Sequence, residues 1–564
     1  MKRQGRSVEE QFGDSSRIQL KIKHVSSWIK RRIIEEITGT IPSCLDVNGD
    51  RKQLLQTLFG TERPLDLVKC QEDSHSRLQT VLDSIQAEVL PGGATNFAIR
   101  VWSNFNNVSP SSLGLFIKIA LPYARWSKLK KPCPVSRFDR EFIALKRLND
   151  LCPPRKEKEP NEDSPTQCPG VTSLPLLCGL DEEANDGTCY IAIKFLPRQY
   201  GKYLDQFIHG VVDKQPAEAL GYTLAKLHVQ SLSQWDKRSL LDETLLQYIA
   251  NGHYKRIEDD QRCYIENTEF ESPEVQANFF APIVPKIALK HSNLLRDRPE
   301  VMRAISRHWD NLQNPPLETA TFTHMDTHVI NVLVSRSESK YPYTVDDPEY
   351  NPSDEGLMKL IDMEFSNWGP AGADLGLFMA SAFFYALVHS YDEEAIKRSD
   401  TIISSIRAIW HAYRTAYIRF ARQEGRSDDA IFLALFRIAH EALGRSGLWI
   451  LRFTSPSLYP HVCLSDFLYA LPDGLGKQLA SVKSTETEED GLEILRMACN
   501  TFAMDSLVAG FGDDAYIEYQ SQRIENLTLA RCNEKMNWFV NHLVMKRSRL
   551  HESLQRARRR PASD

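Results

Sequence analysis

The residues His324-Met325-Asp326-Thr327-His328-Val329-Ile330-Asn331 set a carboxylate and an amide five positions apart on what reads as a tight loop. Thirty-one residues beyond Asn331 comes Asp362-Met363-Glu364, closing the buried-looking strand Leu357–Ile361. A loop aspartate, a loop asparagine and a strand-end aspartate can together orient a hydroxyl and hold a divalent cation against a nucleotide's phosphates. ATP-dependent phosphoryl transfer is the chemistry to which they point. Asp326 is placed to orient the acceptor hydroxyl or take its proton. Asn331 and Asp362 offer the hard oxygen ligands that Mg2+ requires, and Glu364 is a supporting or bridging carboxylate. The apolar Val332-Leu333-Val334 that follows would anchor the loop rigidly. His324 reads as a brace within the loop, and His328 either as another brace or as a residue facing the acceptor. Asp374, in Gly372-Ala373-Asp374-Leu375-Gly376, reads as a helix cap or a brace for the loop.

The elements that would position a nucleotide lie earlier. Pro91-Gly92-Gly93-Ala94-Thr95-Asn96 is a turn-forming string ahead of two alternating strands, Phe97–Trp102 and Leu115–Ala120, that read as a hairpin. Gly92 and Gly93, with Asn96 closing the turn, would let main-chain amides approach phosphates; an ordinary hairpin turn has the same composition. Lys118, mid-strand, reads either as a solvent-facing position or as a phosphate ligand. Glu141 lies twenty-three residues on, along a helical stripe of Phe138, Phe142, Leu145 and Leu148. There it could pair with the lysine, or be a solvated helix charge beside Arg140. The strand ending Ile193-Lys194-Phe195-Leu196 would offer main-chain groups of Ile193 and Phe195 to an adenine edge, and a plain connecting strand would look alike.

The bulk numbers narrow the class. At 564 residues the chain can bury a large core, and 42% hydrophobic with 25% charged residues is ordinary for a soluble globular protein. A net charge of −5 argues against nucleic acid or an anionic membrane as a global partner. The eleven cysteines form no Cys-x-x-Cys, so reduced, packed thiols are expected rather than a zinc site or a disulfide framework. The first residues show no apolar stretch of a secretory signal. The longest apolar run, Leu375–Val388, is short for a bilayer and reads as a buried helix. A soluble, cytoplasmic protein with no membrane span is expected. The basic end, Lys546–Arg560, reads as a solvated helix rather than a nucleic-acid or lipid arm. Residues 1–75 form an N-terminal extension with a helical stretch near His24–Glu36. Residues 76–198 carry the strands and the nucleotide parts, 199–464 the catalytic loop among helices, and 465–564 a helical extension with the basic tail.

The run His324-Met325-Asp326 to Asn331, followed by Ile361-Asp362-Met363-Glu364-Phe365 and Gly369-Pro370-Ala-Gly-Ala-Asp374-Leu-Gly376, resembles the aminoglycoside phosphotransferase and choline kinase superfamily. Its nearest branch is methylthioribose kinase. Leu220-Gly221 through Leu227-His228 is similar to a helix common there. The resemblance implies an α+β, protein-kinase-like two-lobed fold, with a small β-rich N-lobe and a larger, mainly helical C-lobe. It implies catalytic Asp326, Mg2+ ligands Asn331 and Asp362, and an ATP-anchoring Lys118 paired with Glu141. The acceptor would be a hydroxyl-bearing small molecule: methylthioribose, an aminoglycoside or choline-type alcohol, or a secondary metabolite. Met325 stands where that superfamily usually has glycine, and Asn331 where the methylthioribose branch often has serine. The branch's substrate-binding arginine pair has its nearest counterpart in Arg437–Arg445, so Arg437 and Arg445 are candidate acceptor contacts alongside packing roles. Two other readings are weaker. A protein kinase would carry His-Arg-Asp-Leu, Asp-Phe-Gly and Ala-Pro-Glu motifs, which are missing. A catalytically silent binding module would not need Lys118, Glu141, Asp326, Asn331 and Asp362 together.

Overall fold

Period-two alternation makes a strand of Leu115–Ala120: Leu115, Ile117 and Ile119 are buried, while Phe116 and Lys118 fall on the opposite face and are half-buried. The computed structural model describes residues 23–31, 33, 50–59, 74–90, 97–104, 114–120, 137–151, 175–180, 189–196, 200–232, 295, 297–313, 315–335, 357–389, 393–454, 491–521 and 527–559. Gly92, Gly93 and Asn96 lie outside these residues. The chain divides into two compact units, the first holding the described residues up to Asn149 and those of 175–200, the second nearly all of the rest.

The first unit contains helix α1 (23–31), α2 (Asp50–Phe59) and α3 (Ser74–Asp83), then strands β1 (Ile85–Leu90), β2 (Phe97–Ser103) and β3 (Leu115–Ala120). Helix α4 (Arg137–Leu151) follows, then β4 (Pro175–Leu180) and β5 (Cys189–Lys194). The five strands form one antiparallel sheet in the order β1-β2-β3-β5-β4. The predicted hairpin is β2–β3, with Lys118 opposite Ala98 on one side and Ile191 of β5 on the other. One core joins this sheet to the preceding helices: Trp28 and Ile29 of α1 and Leu58 of α2 pack with Ile99, Ile117 and Tyr190. The helical stretch near His24 thus covers the sheet.

The second unit is mainly helical. It opens with β6 (Tyr200–Lys202), α5 (Tyr203–His209) and α6 (Gln215–Leu232), then α7 (Pro299–Gln313). Short strands β7 (Ala320–Thr323), β8 (Val332–Ser335), β9 (Met358–Leu360) and β10 (Asn367–Pro370) come next. Helices α8 (Gly372–Val388), α9 (Glu393–Gln423), α10 (Asp428–Phe453), α11 (Gly491–Phe511), α12 (Asp513–Gln520) and α13 (Leu529–Arg559) complete it. Strands β6, β8 and β9 make a small sheet, and β7 pairs antiparallel with β10. Helix α8 contains the apolar run of the sequence and is buried along its whole length. Among the described residues no helix is long and apolar enough to cross a membrane.

Close backbone approach sets α11 against α10. A side chain at Gly510 would come within 2.7 Å of the main chain at His440 and Gly444, so glycine is required there. The basic C-terminal helix is stapled to this unit: Lys546 Nζ meets Asp505 Oδ2 at 3.1 Å, and Arg547 pairs with Asp400.

Candidate active site

In the first unit, Lys118 and Glu141 meet. The lysine Nζ donates to Glu141 Oε1 at 2.7 Å and Oε2 at 2.8 Å. Glu141 is fully buried and the lysine side chain is 11% exposed, so the pair is a built feature and not a chance surface contact. Burying a carboxylate is costly without a charged partner; here the lysine on β3 supplies one. The alternative of a solvated helix charge at Glu141 does not describe this residue.

In the second unit the loop between β7 and β8 is built around Asp374, on the first turns of α8. Its Oδ2 accepts the main-chain N–H of His324 at 2.9 Å, and Oδ1 accepts that of Met325 at 2.8 Å and the Thr327 hydroxyl at 2.9 Å. His228 on α6 supplies a fourth contact, with Nε2 3.1 Å from Oδ2, while its Nδ1 lies 2.9 Å from the Tyr413 hydroxyl. Because a carboxylate can only accept, Nε2 donates to Asp374, while Nδ1 shares a hydrogen bond with the Tyr413 hydroxyl. Burial would raise the Asp374 pKa, but the hydrogen bond and charge of His228, followed by His324, hold it below the ordinary value. Of the two predicted roles for Asp374 the structure adopts the brace; no side chain caps α8 from Ala371, and the first amide of the helix, Gly372 N–H, instead donates to Glu441 Oε2 at 3.0 Å.

His324 braces the loop from within. Its Nδ1 accepts the Asp326 N–H at 3.2 Å, which leaves Nε2 to donate to the Ile361 carbonyl at 3.0 Å. That second bond ties the loop to the chain just before Asp362. The β8–β9 ladder does the same from the other side: Val332 pairs with Leu360, and Ile361 N–H donates to the Asn331 carbonyl at 3.0 Å. Asn331 and Asp362 are thereby held at one end of a hairpin. The Asn331 amide donates to both the carbonyl and Oδ2 of Asp326, each at 3.0 Å. Its side-chain oxygen is turned away from that donor edge. Asp362 itself has φ 65° and ψ 54°, in the left-handed region, and opens a short 3-10 turn that carries Glu364. Left-handed backbone at a non-glycine residue is uncommon and clusters at functional sites. The carboxylate oxygens of Asp362 and Glu364 come within 4.8 Å of each other, and Glu364 is buried. Asp326, Asn331 and Asp362, thirty-six positions apart at most, converge.

Charge in the loop is polarised. Burial would raise the Asp326 pKa, but the charge and hydrogen bond of His328, then His324 and Arg452, bring it down to about 2. His328 Nε2 sits 3.4 Å from Asp326 Oδ1. Burial works against its protonation, yet Asp326 first and Asp362 second lift its pKa above the ordinary histidine value. An aspartate that stays ionised can orient a hydroxyl by accepting its hydrogen bond. Asp362, Glu364 and the Asn331 amide carry hard oxygens, the kind of ligand atom that Mg2+ takes in preference to softer donors.

Other expected residues fare differently. The Phe195 N–H donates to the Gly114 carbonyl at 2.9 Å, and Ile193 lies in β5, paired on both edges with β3 and β4. The main-chain donor expected of Phe195 for an adenine edge is therefore already committed. Its ring instead packs under the Arg100 guanidinium, 4.5 Å from the ring centre. Arg437 is likewise engaged: Nη1 pairs with Glu318 at 2.6 Å, and Nε and Nη2 donate to the carbonyls of Tyr519 and Ser521 at 3.1 and 3.2 Å. It ties α10 to the end of α12, the packing alternative of the sequence reading. Arg445 is buried on α10 beside α8. Sequence reasoning missed the structural weight of His228, Tyr413 and Glu441, because none is near the loop in the chain; the Leu227-His228 helix motif was the one available signal.

No family model matches the chain. A curated methylthioribose kinase from Exiguobacterium sibiricum is 38% identical to it over 103 residues, 17% of this chain and 25% of that protein. The similarity is to the same branch that the motifs resemble. The match thus spans about a quarter of the length of that relative. Solved structures that align with the chain include an ethanolamine kinase from Plasmodium vivax, 12% identical over 75% of this chain and 95% of that one, at a TM-score of 0.28. A glucosamine kinase is 14% identical over 72% and 84%, at 0.33. A choline kinase from Cryptosporidium parvum is 11% identical over 79% and 93%, at 0.28.

Proposed function

We propose that this chain is an ATP- and Mg2+-dependent kinase of small molecules, transferring the γ-phosphate to a hydroxyl in the manner of methylthioribose kinase. The observation that carries the reading is the convergence of Asp326, Asn331 and Asp362 at one end of the β8–β9 hairpin, with the first hydrogen-bonded to the second. The proposed architecture is a two-lobed kinase fold, with residues 76–198 as the nucleotide lobe, 199–464 as the catalytic lobe, and 1–75 and 465–564 as extensions. A cytoplasmic location belongs to the same reading.

In this mechanism Asp326, ionised and fixed by Asn331 and His328, accepts a hydrogen bond from the acceptor hydroxyl and aligns its oxygen for in-line attack. Lys118, aimed by Glu141, binds the nucleotide phosphates. Asn331 and Asp362, with Glu364 beside them, would hold Mg2+, which supplies charge neutralisation on the phosphates. Asp374 takes no part in the chemistry; it keeps three loop groups in register through its hydrogen bonds. Catalysis would rest on positioning and electrostatics and on no covalent intermediate.

The test is ADP release by the purified protein with ATP, Mg2+ and a panel of methylthioribose, amino alcohols, aminoglycosides, indole alcohols, hydroxy acids and sugar phosphates. Turnover with one class, lost by about a thousandfold in Asp326→Asn while nucleotide still binds, is the expected result. Turnover unchanged in that variant would remove Asp326 from its role.

A further inference from the structure

Helices α8 and α10 run side by side in the same direction. A side chain at Gly372 would run into Ile438 and Glu441, one at Gly376 into Ala442 and Arg445, and Phe384 meets Phe453 ring to edge, 5.1 Å between centres. The catalytic loop docks on the same stretch of α8, through Asp374 and through Ser381, whose hydroxyl oxygen accepts the Val329 N–H at 3.3 Å. The part of α10 level with this loop carries Arg445, Trp449 and Arg452. Trp449 is the stacking platform between them: the Arg445 guanidinium lies 5.5 Å and that of Arg452 3.8 Å from its ring centre.

Two of these side chains are buried with N–H groups that find no acceptor among the described residues. Arg445 is 2% and Trp449 7% exposed, and among the described residues Arg445 Nε and Nη2 and Trp449 Nε1 find no hydrogen-bond acceptor. Leaving a buried guanidinium N–H unmet is costly, and native structures seldom do so without a reason. The carboxylates whose charges reach Arg445 are those of Asp326 and Asp374, and both are engaged elsewhere: Asp374 by the loop and His228, Asp326 by Asn331 and His328. Burial, then the charge of Arg452, pulls the Arg445 pKa down to about 9 against the opposing charges of Asp326 and Asp374. An oxyanion is the ligand that such N–H groups call for, and a guanidinium and an indole are suited to bind one.

We infer that Arg445, Trp449 and Arg452 form an oxyanion-binding face beside Asp326, and that the acceptor bears a carboxylate or phosphate group in addition to its hydroxyl. The inference rests on the kinase reading for the word acceptor, but the anion face can be tested without turnover. A neutral or cationic alcohol would leave the buried donors unmet; an anionic one satisfies them and brings its hydroxyl to the loop.

The experiment measures ligand-induced shifts in melting temperature of the whole chain, with Mg2+ and ADP present throughout to fill the nucleotide's phosphate sites. The ligands are hydroxy acids and sugar phosphates, each beside its uncharged counterpart: glycerate with glycerol, ribose 5-phosphate with ribose. Anionic members are expected to stabilise the protein saturably, with affinity at least tenfold weaker in Arg445→Gln and several-fold weaker in Trp449→Phe, which deletes one N–H and keeps the ring. Arg445→Lys, retaining the charge in case the glutamine variant does not fold, is expected to keep part of the effect. Equal shifts from neutral partners, no shift from any anionic member, or shifts unaltered in these variants would overturn the inference. ADP release from ATP is followed separately: its absence beside intact anion binding would count against the kinase reading and leave the anion face standing.

Discussion

The Asp374 carboxylate accepts the main-chain N–H of Met325 at 2.8 Å, and Met325 is held there with φ 63°. A buried side chain from α8 thus enforces the turn on which Asp326 sits. Replacing Asp374 by asparagine keeps the shape but removes the charge and turns one acceptor into a donor. It would face the His324 and Met325 N–H groups, the Thr327 hydroxyl and His228 with too few acceptors. The expected loss of stability is about 3 kcal/mol, as for breaking a buried charge pair. Turnover should fall more than nucleotide affinity, because the loop and not the nucleotide loses its support. Denaturant titration and nucleotide binding measured on the same variant check both halves; a stable Asp374→Asn with normal turnover would refute the brace.

Met325 occupies a left-handed turn that disfavours side chains by about 1 kcal/mol, which gives a physical reason for glycine being usual there in the superfamily it resembles. Its sulfur lies where a side chain on Gly369 would touch it, at 3.4 Å, so the methionine recovers part of that cost by packing on β10. Met325→Gly is therefore expected to be close to neutral, within about 1 kcal/mol. Met325→Val, β-branched and with less reach, should lose about 2 kcal/mol or more. Comparison of the two variants by chemical denaturation tests this; a valine as stable as the glycine would show that the backbone angle imposes no strain.

Several features were legible before any coordinates because they depend on neighbours in sequence. Alternation in Leu115–Ala120 made the strand and put Lys118 on the face opposite Ile117. The helical stripe through Phe138, Phe142 and Leu145 placed Glu141 on α4. The spacing of Asp326 and Asn331 announced the loop, and the apolar runs Val332–Val334 and Leu357–Ile361 the strands beyond it, though not their pairing. What could not be read depends on distant contacts. His228 reaches Asp374 across 146 positions, and Glu441 reaches Thr319 across 122. Phe195 misled for a related reason: a strand end looks the same whether its N–H is open or, as here, spent on Gly114. Nor could sequence tell that Arg437 is consumed by Glu318 and two carbonyls while Arg445, two turns on, keeps buried donors unmet among the described residues.

The Asp326–His328 pair makes a pH prediction with two signs. Asp326 is held at about 2, below its ordinary 3.8, so the stability it confers is present above pH 3.8 and lost as pH falls through about 2. His328 is shifted upward from 6.5, so its contribution is complete below pH 6.5 and is lost as pH rises through its raised pKa. Melting temperature should therefore decline on the alkaline side in the wild type and decline less in His328→Gln. Without the imidazolium, Asp326 should titrate higher, and any acid limb in the rate profile should move to higher pH. Identical pH profiles for the two proteins would show that the pair carries no coupling.

Glu441 carries the other pH dependence. It is fully buried on α10, where it accepts from Thr319 Oγ1 at 2.6 Å, from the Tyr519 hydroxyl at 2.9 Å and from Gly372 N–H at 3.0 Å. Burial drives its pKa up; these hydrogen bonds and the charge of Arg437 oppose that without cancelling it, and the result is about 7 against an ordinary 4.5. A folded-state pKa above the unfolded one means stability that is full below pH 4.5 and lost as pH rises through about 7. The loss across that window amounts to about 3 kcal/mol, at about 1.4 kcal/mol per unit. Because Gly372 begins α8 and Thr319 precedes β7, ionisation would loosen both supports of the Asp326 loop together. Glu441→Gln cannot ionise, so its melting temperature should vary less between pH 5 and pH 8 and should exceed the wild type's at the alkaline end, although its amide meets the Gly372 N–H less well. Parallel curves for the two proteins over that range would mean that Glu441 does not change protonation on unfolding, and that its hydrogen bonds outweigh its burial.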